Sequence, residues 1–323
     1  MAPAAEHRQL YMVLSPHSLR YARAALESLF RNCADAVNLH VVTDSATDAS
    51  TLADAVTAIA PALRHRWSVA AEEELNDAEA SVFGGLANLR AFRHGHPCWR
   101  KVTDPLLLSV HGEEMILLDP DLYFPNRFRF EETPASGLSL MWQRPNCLLP
   151  PVIVRAAMDA KIRLARHVDI GVSHWRCGAD LDWLDWMIGQ LGGVNLPHTM
   201  HIEAIVWAAI AMREGGGYLD PRVWVCWHRT QMKRVRRKLG AGGERILASE
   251  PWGSMKCFHA GGEAKWWVPG FLTEHPPAVN DVLEPCALRP FVELTREQYE
   301  REQSAKYLLR GLGYYRVFGA KPS

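Results

Sequence analysis

The sequence predicts an α/β fold built on a mainly parallel, Rossmann-like sheet with helices on both faces and a C-terminal elaboration. Through the first half of the chain, β-branched apolar runs alternate with segments whose apolar residues recur at helical spacing. The 323 residues, 48% hydrophobic and 22% charged, have the composition of one large or two small globular domains. No internal repeat or low-complexity tract interrupts them, so one elaborated domain is favoured over two separate ones.

The elements follow in order. Gln9 to Ser15 reads as a strand ending in Ser-Pro-His, and the amphipathic run from Leu19 to Asn32 as a helix. Asn38 to Thr43 is a second strand closing at Asp44, Thr51 to Ala60 a second helix, and Leu63 to Ala70 a third strand. A less regular segment with Gly84, Gly85 and two histidines, His94 and His96, precedes a helix over Trp99 to Val110. The apolar run from Glu114 to Phe124 is a strand broken by Asp119-Pro120-Asp121, because proline cannot donate to a ladder. Further strands are expected at Leu138 to Trp142, His167 to Ser173, Pro221 to Trp227 and Ser254 to His259. Helices are expected after Pro150-Pro151, over Leu181 to Gln190 and over His201 to Arg213. Pro269, Pro276, Pro277 and Pro290 punctuate an irregular region before a last helix, Thr295 to Leu312.

Charge and composition exclude several functions. Thirty-six basic residues balance thirty-six acidic ones, so no overall field draws the chain to nucleic acid, and an anionic ligand must be gripped locally. The longest apolar runs, such as Ala204 to Met212, fall short of the roughly 20 residues that span a bilayer. Charged Glu6, His7 and Arg8 stand where a secretory signal would need an unbroken apolar stretch, so the cytoplasm is the expected compartment. Seven cysteines without a CxxC pair fit neither a disulfide framework nor a zinc ribbon, and read as reduced residues, mostly small core ones.

In an open parallel sheet, ligands bind at the carboxyl ends of strands where the strand order reverses. Ser15 to His17, Thr43 to Asp44 and Asp119 to Asp121 are polar segments at such ends. Two aspartates one residue apart can direct oxygens at a hard divalent cation that also holds a diphosphate. Taken alone, a strand-ending Asp-Pro-Asp is ordinary turn chemistry. A second Asp-x-Asp, Asp180-Leu-Asp182, opens an amphipathic helix and is assigned to capping. The stronger signal is KCFHAGGEAKWW, in which His259 could complete a metal shell, Gly261 and Gly262 let the backbone approach a ligand, and Lys265 could neutralise a phosphate.

Together, ILLDPD, VDIGV and HAGGEAKWW, with Lys101 on the preceding helix, resemble the retaining glycosyltransferases of family 8, the glycogenin and lipopolysaccharide galactosyltransferase group. The likeness covers most of residues 9 to 270. His259, Gly262, Lys265 and Trp267 match the family pattern HxxGxxKPW, and Trp266 stands where the family has proline. The resemblance implies a GT-A type nucleotide-diphospho-sugar transferase fold over residues 1–270. A nucleotide-sugar-binding half would lie at about 1–125, an acceptor-side half at about 126–270 and a C-terminal extension at 271–323. It implies that Asp119, Asp121 and His259 bind Mn2+ or Mg2+, and that Lys265 and the Gly262 backbone hold the diphosphate of a nucleotide sugar, most naturally a UDP-sugar.

The same resemblance implies retention at the anomeric carbon and places Asp169, where the family has asparagine, beside the donor sugar. Glu203 is the nearest counterpart of a family Asp-Gln pair, and it equally suits a first-turn dipole partner. Ser15, His17, Thr43 and Asp44 could meet base or ribose, with helix capping the competing role for Ser15 and Asp44. Lys101, with Arg100, could reach the donor or belong to a charged helix face. The acceptor, whether glycan, lipid, protein or small molecule, is not encoded in any motif.

The basic run Lys233 to Lys238 reads as a solvated helix face, and most of the twelve tryptophans as core or half-buried residues. The terminal helix could dock on the body, dimerise or attach peripherally to a membrane. A sugar nucleotidyltransferase would want a glycine-rich basic signature after the first strand, which Ser15 to Arg20 lacks. A non-catalytic nucleotide-sugar-binding module is the alternative of a different class.

Overall fold

The computed structural model describes residues 7–59, 62–228, 230–275 and 281–314. Glu6, Ala60, Pro276 and Pro277, named above, lie outside the described residues. The chain begins with β1 (Arg8–Val13), helix α1 (Leu19–Asn32), β2 (Val37–Thr43), α2 (Ala46–Ile59) and β3 (Arg66–Ala71). β1 pairs in parallel with β2, and β2 with β3. The segment read as irregular forms two short helices, α3 (Asn76–Phe83) and α4 (Ala87–Arg93), which bury Phe83, Leu89 and Phe92. Helices of about two turns offer too few repeats for their period to stand out.

Helix α5 (Arg100–Leu108) leads into β4 (Glu114–Leu118), which pairs in parallel with the opposite edge of β1. The chain has thus moved outward through β2 and β3 and returned to the other side of β1, so the strand order reverses between β1 and β4. The apolar run to Phe124 breaks at Pro120, as the proline predicts. Its continuation, β5 (Leu122–Tyr123), belongs to a second sheet.

The remaining elements are β6 (Leu138–Trp142), α6 (Pro151–Asp159), β7 (Val168–Arg176), α7 (Leu181–Leu191), α8 (Ile202–Glu214), β8 (Gly216–Tyr218), β9 (Trp224–Cys226), α9 (Gln231–Lys238), α10 (Gly243–Leu247), β10 (Cys257–His259), α11 (Val268–Glu274), β11 (Arg289–Pro290) and α12 (Arg296–Gly311). The main sheet has the order β11-β8-β6-β7-β4-β1-β2-β3, and every strand in it except β7 and β11 runs the same way. The small sheet is β5-β10-β9, with β10 antiparallel to β5 and parallel to β9.

Alternation along the central strands supplies both faces of the core. Tyr11, Met115 and Leu117 face α5, α7 and α8, whereas Leu10, Met12, Ile116 and Leu118 face α1 and α2. A third cluster, with Tyr123, Phe258, Val268 and Phe271, lies under the small sheet. Behind α5, the fully buried Arg93 donates from Nε to Asp104 Oδ1 at 2.8 Å and pairs with Glu79. That ties α4 to the helix that carries Lys101.

The last helix docks on the body through its first half. Thr295 caps it, Tyr299 is buried, and Glu300 and Glu302 pair with Arg155 and Arg166. As the sequence predicts, Asp180 caps α7 by accepting from Trp183 N at 2.9 Å. All seven cysteines are free. Among the described residues no helix is long and apolar enough to cross a membrane.

Candidate metal and donor site

Asp119 is the first residue beyond β4, and its N–H still donates to Gly171 O of β7 at 2.8 Å. Pro120 then ends the ladder and turns the chain into β5. Asp121 O accepts from Ala260 N at 3.0 Å, and Leu122 is the register partner of His259. These backbone contacts bring the end of β10 against the aspartate turn. His259 Nε2 lies 3.3 Å from Asp121 Oδ1 and 3.6 Å from Asp119 Oδ2.

One ligand atom from each of the three residues lies within 4.8 Å of the others, an arrangement that could hold a metal ion. Burial pushes the Asp119 carboxyl above its ordinary range despite the neighbouring Lys101. Burial opposes charge on His259 as well, but the Asp169 and Asp121 carboxylates outweigh it and hold the imidazole well above its usual range. The cluster therefore attracts positive charge. Two carboxylate oxygens and an imidazole whose other nitrogen is already oriented fit a divalent cation.

That orientation comes from Asp169. Its Oδ1 accepts from Gly171 N at 3.0 Å and lies 2.7 Å from His259 Nδ1, so a proton on Nδ1 leaves the Nε2 lone pair facing the aspartates. Gly171 makes the approach possible, because a Cβ there would come within 2.6 Å of His259 Nδ1. The second glycine-specific position, Gly262, is exposed with φ +65° and takes the backbone around the turn after β10. Asp169, expected beside the donor sugar, lies against the Nδ1 side of His259. Replacing Asp169 with Ala should weaken metal binding by roughly 10–100-fold, while Asp169→Asn, which keeps an acceptor oxygen, should lose less. Free Mn2+ followed by electron paramagnetic resonance during a titration reads this directly, and equal losses in both variants would speak against the orienting role.

Lys101 is buried and bridges two carboxylates. Its Nζ donates to Asp119 Oδ1 at 2.6 Å and lies 2.9 Å from Glu203 Oε2. Glu203 stands in the first turn of α8, 1% exposed, and its Oε1 accepts from Trp207 Nε1 at 3.3 Å. Burial pushes the Glu203 carboxyl up to about 8 against the pull of Lys101. Burial also acts against the Lys101 ammonium, but Asp119 and Glu203 overcome it and keep it protonated. The side chain of Glu203 therefore serves this pair, beyond any dipole role at its helix start.

The residues expected to meet the nucleotide occupy neighbouring strand ends with different surroundings. Ser15 follows β1 and precedes a single 3-10 turn, Pro16–Ser18, without capping it, and His17 is exposed. Thr43 ends β2 fully buried, and its Oγ1 has no hydrogen-bond partner among the described residues. Asp44 caps nothing, because Ser45 Oγ accepts from Asp48 N at the start of α2. Its carboxylate pairs instead with the buried guanidinium of Arg100, which also donates to Glu72 Oε2 at 3.0 Å. Arg100 is thus engaged at the ends of β2 and β3.

Lys265 lies in the 3-10 turn after β10, with its ammonium 4.6 Å from the Tyr21 ring centroid and 5.8 Å from that of Trp266. Although burial opposes it, His259 and then Lys265 help hold the Asp121 carboxyl below its ordinary range. Sequence reasoning missed Cys226, whose Sγ lies 3.2 Å from Asp169 Oδ2, and Tyr21 beneath the lysine. Neither stands in a motif, so only the strand pairing and the start of α1 bring them to the site.

No protein-family model matches the chain, and no curated protein matches it. Solved structures do. Mouse xyloside xylosyltransferase 1 in its apo form superposes with a TM-score of 0.50 at 14% identity, over 80% of this chain and 98% of that one. The chain has a GT-A glycosyltransferase fold. Weaker superpositions are with the galactosyltransferase LgtC in complex with donor and acceptor sugar analogs and with core-mannan synthase A of Aspergillus fumigatus in an Mn/GDP form. For LgtC the TM-score is 0.45 at 12% identity, over 85% of this chain and 97% of that one. For the mannan synthase it is 0.42 at 10% identity, over 65% of this chain and 71% of that one. On this GT-A fold the aspartate turn stands beside β1, next to the reversal of strand order.

Proposed function

We propose that the protein is a metal-dependent glycosyltransferase that transfers a sugar from a nucleotide diphosphate sugar, preferentially a UDP-sugar, to an acceptor, with retention at the anomeric carbon. The observation that carries this reading is the convergence of Asp119, Asp121 and His259 within 4.8 Å at the end of β4. Breaking the anomeric bond leaves positive charge on the sugar and negative charge on the departing nucleotide. Mn2+ or Mg2+ held by these three residues would stabilise the developing charge on the diphosphate as a Lewis acid.

The chain's own residues complete the arrangement. Asp169 keeps the Nε2 lone pair of His259 directed at the aspartates, and Lys101 holds Asp119 Oδ1 in place. Lys265, half-buried on the turn after Gly262, neutralises a diphosphate oxygen as a point charge. Ser15, His17 and Thr43, at the ends of β1 and β2, lie on the side where base and ribose would rest. Asp44 contributes there through its pair with Arg100. The catalytic unit is residues 1–270, and the cytoplasm is its expected compartment.

Replacing Lys265 with Ala should weaken binding of a nucleoside diphosphate by roughly 1.5–3 kcal/mol, the worth of a hydrogen bond to a charged group. Calorimetric titration of UDP in the presence of Mn2+ measures it, and unchanged affinity would remove Lys265 from the diphosphate site. Incubating the protein with a panel of nucleotide sugars tests the whole reading. Mn2+-dependent release or transfer of one sugar supports it, whereas tight binding without turnover favours a non-catalytic binding module.

A further inference from the structure

On the Nδ1 side of His259, away from the aspartate pair, three strands bring a second and chemically different set of ligand atoms together. Asp169 comes from β7, Cys226 from the end of β9 and His259 from the end of β10, and Cys226 and His259 are direct register partners across the parallel β9–β10 pair. Asp169 Oδ1 is 2.7 Å from His259 Nδ1, and Asp169 Oδ2 is 3.2 Å from Cys226 Sγ. A ligand atom from each residue lies within 4.8 Å of the other two, and all three residues are buried. Gln143 Oε1, 3.8 Å from the sulfur, adds an oxygen at the edge of the group.

A thiolate, an imidazole and a carboxylate are the donors that zinc takes in tetrahedral sites, with water or an amide oxygen able to fill the fourth position. The aspartate pair and His259 Nε2 offer a harder set suited to Mn2+ or Mg2+. We propose that Asp169, Cys226 and His259 form a second metal site, selective for a soft divalent cation of the zinc type, whose occupation excludes a metal ion from the Asp119–Asp121 site. The exclusion rests on the metal-site reading given under the proposed function, while the second site stands on its own geometry.

The shared ring explains why the two sites compete. A neutral imidazole carries one proton. With that proton on Nδ1, directed to Asp169, Nε2 is free to ligate beside Asp119 and Asp121. A cation on Nδ1 moves the proton to Nε2, which then donates toward Asp121, 3.3 Å away, and no longer offers a lone pair to a metal there. The Cys226 thiol proton leaves to solvent as the sulfur–metal bond forms, so the second site takes the cation with a thiolate, a carboxylate and a neutral imidazole.

Cobalt(II) is the probe, because its bond to a thiolate gives a near-ultraviolet charge-transfer band that oxygen and nitrogen ligands do not. The full chain should develop this band on cobalt addition, and zinc should abolish it. Cys226→Ser should lose the band, with Cys226→Ala as the second variant if serine impairs folding. Replacing the partly exposed Cys147 and Cys286 together should leave it in place. Manganese binding followed by electron paramagnetic resonance reads the competition: zinc should release bound Mn2+ from the wild type at markedly lower concentration than from Cys226→Ser, where it competes only at the aspartate pair. Absence of the band from the wild type, or its survival in both Cys226 variants, overturns the second site. A Cys226-dependent band together with Mn2+ release that needs as much zinc in the wild type as in Cys226→Ser overturns the exclusion. Asp121→Ala should lose Mn2+ and keep the cobalt band, so failure of the first site would be seen separately from failure of the second.

Discussion

Replacing Lys101 with Met should destabilise the fold by about 3–5 kcal/mol, the cost of breaking a buried ion pair by removing one partner. The lysine is 6% exposed and is the cation within bonding distance of both Asp119 and Glu203. Without it, the Asp119 carboxylate loses its 2.6 Å donor in a site from which water is largely excluded. Glu203 suffers less, because burial already pushes its carboxyl up to about 8 and it can remain protonated near neutrality. Two consequences make the expectation specific. The double variant Lys101→Met, Glu203→Leu should recover part of the loss, since it removes the buried acid left without its partner, and Mn2+ should recover another part by compensating Asp119. Urea unfolding with and without Mn2+ measures both, and a loss below about 1 kcal/mol, the worth of an exposed pair, would mean that the ammonium is not held as described.

The second large effect concerns rate. Asp121→Ala should lower turnover by roughly 10²–10³-fold, about 2.7–4 kcal/mol of transition-state stabilisation, the range seen when one preorganised stabiliser of a developing oxyanion is removed. Asp121 is suited to show this cleanly because His259 lies 3.3 Å from its Oδ1, and Lys101 donates to Asp119. Its removal therefore subtracts a proposed metal ligand without stranding the buried ammonium. Initial rates of sugar release at saturating Mn2+ test it. A variant that retains more than about a tenth of wild-type turnover would place the leaving-group stabilisation elsewhere.

Which parts of this site were legible in the sequence follows from how each part is specified. The Asp119-Pro120-Asp121 turn declares itself locally, because proline ends a ladder wherever the fold puts it. His259 and Lys265 stand in one short motif at fixed spacing. Among the strands and helices of the first half, β1, β2, α1 and α5 were also readable, because they are long enough for their apolar period to show. The short β8 and β11 were not, and neither was the passage of the chain from the main sheet into the small one at Pro120.

The pairings across the site had no local signal at all. Lys101 meets Glu203 only because α5 and the start of α8 pack on the same face of the sheet, and Asp44 meets Arg100 only because α5 starts beside the ends of β2 and β3. For Asp169 the sequence supplied the residue but not its neighbour. Gly171, two positions on, leaves the space that lets the His259 ring lie against β7, and this places the carboxylate on the imidazole.

In the proposed function, Asp119, Asp121 and His259 hold a cation that in turn holds a nucleotide. The most direct test is thermal unfolding of the wild type and of Asp121→Ala with a panel of nucleoside diphosphates and their sugars, each with and without Mn2+. A ligand at about 100 times its dissociation constant adds roughly 2.7 kcal/mol of stability, a readable shift. Stabilisation by UDP that requires Mn2+ and is lost in Asp121→Ala is the predicted result. A wild type that no nucleotide stabilises in either condition would contradict the account and return the aspartates to the chemistry of a turn.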